Sequence, residues 1–271
     1  MNSEMAYLIG MVIGNGEIQR GNRETTITID IPYKNLYTDD LKDVAIYVKA
    51  SIVDIRSIVE SLLSNSIRIT EETHSTKLSF TKSNDDYVIR EIVRLVSGGT
   101  HHSTMRMDEE LFSMNTDEKK AFLRGIGDVT AYIRKSNLAY GQTGAHRVYV
   151  EVPGNWYLVI DIANMLKSIG IPVQTIDFGH PNFRDGNLKK YNSGKPNFWK
   201  KEHQIKIYAN EYLPIGFNIK HKQASLVKYS NELLSAIDPK ITHQFYWEKS
   251  VKHKSRDKHP GENDPSLPEE I

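Results

Sequence analysis

The amino-acid sequence predicts an α/β protein, more narrowly α+β, in which one αββαββα unit occurs twice and each copy forms an antiparallel sheet. The first observation is a pair of similar segments, AYLIGMVIGNGEI at residues 6–18 and FLRGIGDVTAYI at residues 122–133. Both are apolar helical runs with a central glycine, followed by a strand pattern. The second is their spacing, because Gly16 and Ala131 lie 115 residues apart in a chain of 271. The third is that the same order of helices and strands follows each segment.

Hydrophobic periodicity predicts the individual elements. Ile27, Ile29 and Ile31 alternate with polar residues, as in a strand that buries one face, and apolar residues spaced by three and four indicate amphipathic helices. In the first half-domain, residues 1–115, we expect helices over 4–14, 48–62 and 85–96 and strands over 17–19, 25–31, 67–71 and 77–80. In the second, residues 116–238, we expect helices over 116–128, 155–169 and 221–236 and strands over 132–136, 147–152, 171–176 and 204–208.

Composition narrows the class of protein. The chain has 35 Lys and Arg against 34 Asp and Glu, so its net charge of +1 gives no global argument for nucleic acid. It has no cysteine, which excludes disulfides and thiolate metal sites. No run approaches the roughly 18 apolar residues of a membrane span, and no basic region precedes the first apolar stretch. We therefore expect a cytoplasmic protein that does not interact with a membrane.

The basic residues are concentrated locally. About 27 residues separate the last two strands of the second half, against about six in the first half, and this long loop is rich in lysine. Basic clusters of this kind can neutralise phosphates even on a near-neutral protein, although solvated loops have the same composition. The tail over 239–271 is also basic, and we expect it to be flexible. The candidate phosphate-binding lysines of the second half are Lys189, Lys190, Lys200, Lys201, Lys206, Lys220 and Lys222.

The chain resembles the LAGLIDADG homing endonucleases of the two-motif, single-chain type. LIGMVIGNG at residues 8–16 and LRGIGDVTA at residues 123–131 align with the nine-residue signature, and TDEKKAFLRG and YLPIGF resemble the segments around the second motif. The resemblance implies a saddle-shaped monomer with pseudo-twofold symmetry, in which the signature helices pack through Gly10 and Gly125. It also implies that the two sheets lie in the major groove of double-stranded DNA, which is wide enough for a β-ribbon.

Strand alternation then gives candidate DNA-facing residues, whose other interpretation is an ordinary solvated sheet face. In the first half they are Gln19, Arg23, Thr26, Thr28, Arg68, Lys77 and Ser79. In the second half they are Tyr132, Arg134, Ser136, Arg147, Tyr149, Gln204, Lys206 and Tyr208.

The sequence departs from the family at the residues that carry catalysis. The resemblance implies an acid at the end of each signature helix, and the two acids together hold divalent metal ions that activate water. Asn15 and Thr130 occupy these positions, and neither carries a charge. Glu17 and Asp128 could rebuild a Mg²⁺ site, or they could be a surface strand residue and a helix-end acid. The tandem pair His101-His102 lacks the spacing of a helical metal site and is interpreted as part of a loop.

These observations favour a sequence-specific binder of double-stranded DNA without autonomous cleavage. Such a protein could be the recognition component of a restriction system, acting with a nuclease or methyltransferase subunit, or a degenerate homing endonuclease or a transcription regulator. Two alternatives stay open. One is an active, Mg²⁺-dependent endonuclease that uses Glu17 and Asp128, and the other is an intron maturase that binds structured RNA through residues 184–201.

Overall fold

The structure is a computed structural model that describes residues 1–36, 38, 44–135, 145–177 and 203–231. Several sequence predictions lie outside these ranges. They concern Ser136, the loop lysines Lys189, Lys190, Lys200 and Lys201, and the tail over 239–271.

The elements from Ser3 to Leu95 form a first four-stranded sheet with its helices. The elements are α1 (Ser3–Asn15), β1 (Gly16–Arg20), β2 (Glu24–Pro32), a 3₁₀ turn (Tyr33–Leu36), α2 (Val44–Leu63), β3 (Arg68–Glu71), β4 (Ser75–Ser83) and α3 (Tyr87–Leu95). Asn2 caps α1, because its side chain accepts a hydrogen bond from the backbone N of Met5 at 2.8 Å. At the other end α1 runs directly into β1.

The elements that follow build a second sheet of the same kind. They are α4 (Glu109–Phe112), α5 (Thr116–Thr130), β5 (Ala131–Lys135), β6 (His146–Val152), α6 (Trp156–Ser168), β7 (Thr175–Asp177), β8 (His203–Tyr208), α7 (Ala209–Tyr212) and α8 (Lys220–Ser230). The predicted αββαββα order is therefore confirmed in both halves, with α4, α7 and the 3₁₀ turn as short additions.

The two sheets have the same topology. The strand order is β1-β2-β4-β3 in the first and β5-β6-β8-β7 in the second, and all pairs are antiparallel. In both, alternate residues such as Ile27, Ile29, Val148 and Val150 are buried against the helices. The intervening residues form a polar face on the opposite side of each sheet, as strand periodicity requires.

The two halves meet along α1 and α5 at a seam that needs glycine. A Cβ atom on Gly10 would lie 2.0 Å from the carbonyl O of Phe122, and a Cβ on Gly125 would lie 2.2 Å from the carbonyl O of Tyr7. Real Cβ atoms do not approach backbone oxygen so closely, so only glycine permits this contact. The predicted packing through Gly10 and Gly125 is confirmed.

The helix α5 begins at Thr116, the first residue of the predicted range 116–128, and the residue before it is the N-cap. The cap is Asn115, whose side-chain oxygen accepts from the backbone N of Asp117 and Glu118, both at 3.0 Å. The Glu118 carboxylate accepts a hydrogen bond from the Asn115 backbone N at 3.1 Å, which completes a capping box.

In the described ranges, no helix has both the length and the apolarity to cross a membrane.

Side chains of the second half also hold the segment that connects the two sheets. The Asn155 amide donates to the carbonyl oxygens of His102 at 3.0 Å and of Met105 at 2.7 Å. The Arg106 guanidinium forms a bidentate pair with the Asp161 carboxylate on α6, at 2.7 and 2.9 Å. This segment is therefore fixed to the second half by directional bonds.

Candidate nucleic-acid interface

The polar face of the first sheet is accessible and consists of polar side chains in register across the four strands. One row across the sheet contains Glu17, Thr28, Ser79 and Arg68, which are cross-strand partners on β1, β2, β4 and β3. These four side chains are exposed or half-buried. The predicted face therefore exists in the folded chain.

Further polar rows flank this one. Gln19 lies opposite Thr26, which lies opposite Thr81, and the two threonine hydroxyls are 2.7 Å apart. In the next row Lys77 lies opposite Asp30 and forms an ion pair with Glu72 at 2.7 Å. Arg23 is exposed in the turn between β1 and β2. Hydroxyl, amide and guanidinium groups therefore alternate with carboxylates, a pattern of donors and acceptors suited to hydrogen bonding.

The polar face of the second sheet is built around aromatic rings. Tyr132 and Tyr149 are cross-strand partners and stack with their ring centroids 5.0 Å apart and 4° between planes. Cations lie over two of the rings on this face, Lys206 over Tyr149 at 5.6 Å and Arg147 over Tyr208 at 5.2 Å. These contacts stiffen the face and hold the cationic groups in fixed positions.

This face contradicts part of the sequence prediction. Arg147 and Tyr149 were expected to face a groove, but they are only 4% and 7% exposed. Tyr132, Gln204 and Tyr208 are buried as well. Arg134 is exposed and Lys206 is half-buried, so these two are the accessible cations of the predicted set on the second sheet.

The prediction that Lys222 binds DNA is wrong. Its side chain is completely buried, with Nζ bonded to the carbonyl O of Gly127 at 2.5 Å and 4.3 Å from the ring centroid of Phe217. Burial lowers the pKa of the Lys222 ammonium to about 7, and nearby Asp128 partly opposes that shift. Lys222 thus caps the carbonyl end of α5. Lys220, two residues earlier, is exposed and forms an ion pair with Asp54 at 3.0 Å.

Asn15 and Thr130, which the family resemblance assigns to the catalytic positions, both hydrogen-bond to backbone carbonyl groups. The Asn15 side-chain amide donates to the carbonyl O of Asp30 at 2.8 Å and ties the end of α1 to β2. The Thr130 hydroxyl donates to the carbonyl O of Ile126 at 2.7 Å, a bond back along its own helix. Both side chains have a structural role at the seam.

Asp128 is a buried structural acid. Its carboxylate accepts from the Tyr7 hydroxyl at 2.9 Å and from the backbone N of Asn218 and of Ile219 at 3.0 and 3.2 Å. Burial raises the pKa of the Asp128 carboxyl, whereas Lys222 and these hydrogen bonds act in the opposite direction. The same burial, with the adjacent carboxylate, raises the pKa of the Tyr7 hydroxyl well above its ordinary value. Asp128 thus joins α1, α5 and the start of α8.

A magnesium ion does not fit the donors at the seam. Mg²⁺ requires anionic oxygen ligands, but the two motif positions are an amide and a hydroxyl, and Asp128 is fully engaged elsewhere. Glu17 is exposed on the sheet face, where its carboxylate accepts from the Gln19 amide at 3.2 Å. Among the described residues there is no group of three or more His, Cys, Asp or Glu side chains that could hold a metal. Glu17 and Asp128 therefore do not form a rebuilt site in this arrangement.

Sequence reasoning missed the pairing of the connecting segment with β1. The backbone N of Ile18 donates to Thr100 O at 2.7 Å, the backbone N of His102 donates to Gly16 O at 2.9 Å, and Glu17 and His101 form an isolated antiparallel bridge. Burial lowers the pKa of the His102 imidazole to about 4, so this ring is neutral at ordinary pH. Three residues have too little periodicity to reveal a strand pairing across more than 80 positions of sequence.

A scan against protein-family models finds none that matches, and no curated protein matches. Solved structures do match. The homing endonuclease I-DmoI in a study of its mesophilic variants shares 16% identity over 82% of this chain and 95% of its own, with a TM-score of 0.41. I-DmoI in complex with DNA and Mn shares 15% identity over 82% and 96%, with a TM-score of 0.42. The N-terminal LAGLIDADG domain of DUF199/WhiA shares 12% over 80% and 79%, with a TM-score of 0.43.

Proposed function

We propose that this protein binds double-stranded DNA at a specific sequence through the polar faces of its two sheets and does not cleave it unaided. The observation that carries the proposal is the arrangement of those faces. Two sheets of identical strand order start from one seam, because α1 leads into β1 and α5 leads into β5. An antiparallel ribbon fits the major groove of duplex DNA, so two such sheets side by side suit two successive segments of one duplex.

The chemistry of the accessible side chains supports direct reading of base edges. The first sheet offers an amide at Gln19, hydroxyls at Thr26, Thr28 and Ser79, and a guanidinium at Arg68. Amide and guanidinium groups make bidentate bonds to purine edges, and hydroxyls donate or accept with any base.

The exposed and half-buried cations suit contacts to the phosphate backbone, which fix register and supply most of the affinity. They lie on both halves of the protein: Arg23 and Lys77 on the first and Arg134, Lys206 and Lys220 on the second. All except Lys220, which lies on α8, are on the strands and turns described above, so a bound duplex would be held along the length of both faces.

The absence of unaided cleavage follows from the residues at the seam. Neutral Asn15 and Thr130 stand where a pair of acids would be needed, and their side-chain hydrogens are given to backbone carbonyls. A recognition protein of this kind would leave cutting or modification to a nuclease or methyltransferase subunit. A restriction-system component and a degenerate homing endonuclease both satisfy this description.

Selection of bound duplexes from a random pool tests the proposal, with cleavage products followed in Mg²⁺ and Mn²⁺ in the same tubes. We expect one enriched sequence and no specific cuts. The logarithm of the binding constant should fall linearly with the logarithm of salt concentration, with a slope of about −0.9 for each phosphate contact. Failure to enrich any duplex, or affinity that stays flat with salt, would overturn the proposal, and tighter binding to a folded RNA would favour a maturase.

Two matched arginine variants test the interface itself. Arg134→Gln removes an exposed cation from the polar face of the second sheet, whereas Arg90→Gln removes one from α3, outside both faces. We expect Arg134→Gln to lower affinity and to reduce the salt slope by about 1. Arg90→Gln should bind like the wild-type protein. Equal losses in both variants would mean that the faces are not the binding surface.

A further inference from the structure

The first sheet has a short additional edge beside β1. The backbone bonds from Ile18 N to Thr100 O and from His102 N to Gly16 O place residues 100–102 antiparallel to β1, with His101 opposite Glu17. Directly opposed residues of an antiparallel pair project from the same face. Because Glu17 belongs to the polar row that crosses the sheet, His101 belongs to that polar face as well.

This edge lies in the middle of the proposed DNA surface. One edge of β1 is occupied by β2, so residues 100–102 lie on the opposite edge, away from the rest of the first sheet. The same segment is held from the second half, where the Asn155 amide donates to His102 O. His101 therefore projects where the two halves join.

The imidazole of His101 is oriented by its neighbour. The backbone N of Ser103 donates to His101 Nδ1 at 3.3 Å, and the Ser103 hydroxyl lies 2.7 Å from the same atom. A backbone N–H can only donate, so Nδ1 is an acceptor and the neutral ring carries its proton on Nε2. The ring is exposed and lies against the His102 ring, with 3.9 Å between centroids. The Nε2 atom of His101 is thus a hydrogen-bond donor.

A hydrogen-bond donor at His101 would attract phosphate at a place where the neighbouring carboxylates repel it. The carboxylates nearest the seam on the first sheet are Glu17 on the adjacent strand and Asp30 on β2, and both repel phosphate. We propose that His101 is a DNA-contacting residue that donates from Nε2 to a phosphodiester oxygen at the centre of the bound duplex. This inference rests on the proposed function, because it assumes that the polar faces bind DNA.

Substitution of two exposed histidines tests it on the duplex selected from the random pool. His101→Ala removes the donor, His101→Gln keeps an N–H, and His74→Ala removes an exposed histidine from the turn between β3 and β4 at the far edge of the sheet. We expect His101→Ala to weaken binding on the order of tenfold, as for loss of a hydrogen bond to a charged group. His101→Gln should recover part of the loss, and His74→Ala should bind like the wild type.

A second arm keeps the wild-type protein and neutralises single phosphates of the duplex as methylphosphonates. A methylphosphonate at one central position should weaken binding of the wild-type protein on the order of tenfold and leave binding of His101→Ala unchanged. If the duplex binds and His101→Ala matches His74→Ala, or no central phosphate depends on His101, this inference is wrong and the proposed function stands. If no duplex is selected, both fail.

Discussion

Gly10 is the position at which a single methyl group should do most damage to this protein. In Gly10→Ala the new Cβ would lie 2.0 Å from the carbonyl O of Phe122 and 2.9 Å from its carbonyl C. Both are backbone atoms of α5 and cannot move aside as a side chain could. The variant can therefore fold only if α1 and α5 separate.

The size of the loss follows from this geometry. Raising the 2.0 Å separation to 3.0 Å, the lower limit for real Cβ contacts, requires the helices to move apart by about 1 Å. Overpacking of this kind costs about 1–3 kcal/mol. Because the Phe122 carbonyl belongs to the backbone and cannot move aside, we take the upper end of that range, about 3 kcal/mol. Alanine regains about 1 kcal/mol through its higher helix propensity. We expect the free energy of unfolding to fall by about 2 kcal/mol.

Urea denaturation measures this loss directly. At an m-value of about 2–3 kcal/mol per M, the midpoint should fall by roughly 1 M. Gly14→Ala is the matched control, because its Cβ would meet the Val129 side-chain methyl at 2.7 Å and not a carbonyl oxygen. Its loss should be smaller. Gly10→Ala together with Gly125→Ala should cost less than the sum of the two, since one separation relieves both contacts. A Gly10→Ala variant as stable as the wild type would refute the reasoning.

Three further predictions concern stability. The pKa of Lys222 is about 7 in the folded protein and 10.5 in the unfolded chain. Between pH 7 and 10.5 the unfolded chain therefore binds one more proton at this residue than the folded protein, so stability rises with pH across that window. Lys222→Met should remove up to about 1 kcal/mol per pH unit of that slope in urea titrations at pH 7 and 9, and an unchanged slope would contradict the assignment. The double variant Asn15→Asp, Thr130→Asp places two carboxylates at the seam. Its melting temperature should therefore rise when Mg²⁺ is added, an effect absent from the wild type. Arg106→Leu should cost about 2 kcal/mol in urea by leaving Asp161 buried without its cation, and a loss near zero would show that water replaces the pair.

Local pattern was enough to predict the scaffold. Period-two alternation identified the apolar residues of β2 and β6 that are buried against the helices, and the central glycines of the two similar segments identified the seam. These features depend on neighbours in sequence. The same reasoning could not assign burial to Arg147, whose cross-strand partners Arg134 and Tyr208 lie on other strands.

The errors at single residues have the same origin. Lysine is a residue type that usually lies at the surface. Only the three-dimensional position of the Gly127 carbonyl shows that the Lys222 ammonium is a buried helix cap. Asp128 could be a metal ligand or a structural acid until the backbone N–H groups of Asn218 and Ile219 are seen beside it. The pairing of His101 with Glu17 likewise joins distant parts of the chain. Long-range contacts decide these roles, and residue type alone does not encode them.

The separation of the sheets has a consequence for how this protein can change. In the part of the chain that the structure describes, every strand pair lies within a single sheet, so no register of one sheet depends on the other. Substitutions on the polar face of β2 and β4 can accumulate without disturbing β6 and β8. Each half is therefore free to diverge, or to be exchanged for a homologous half, provided that the incoming half keeps the glycine at the helix crossing and the side-chain bonds that join the two halves, such as Tyr7 to Asp128. Under the proposed function, target preference can then evolve one side at a time while the join between the halves stays constant.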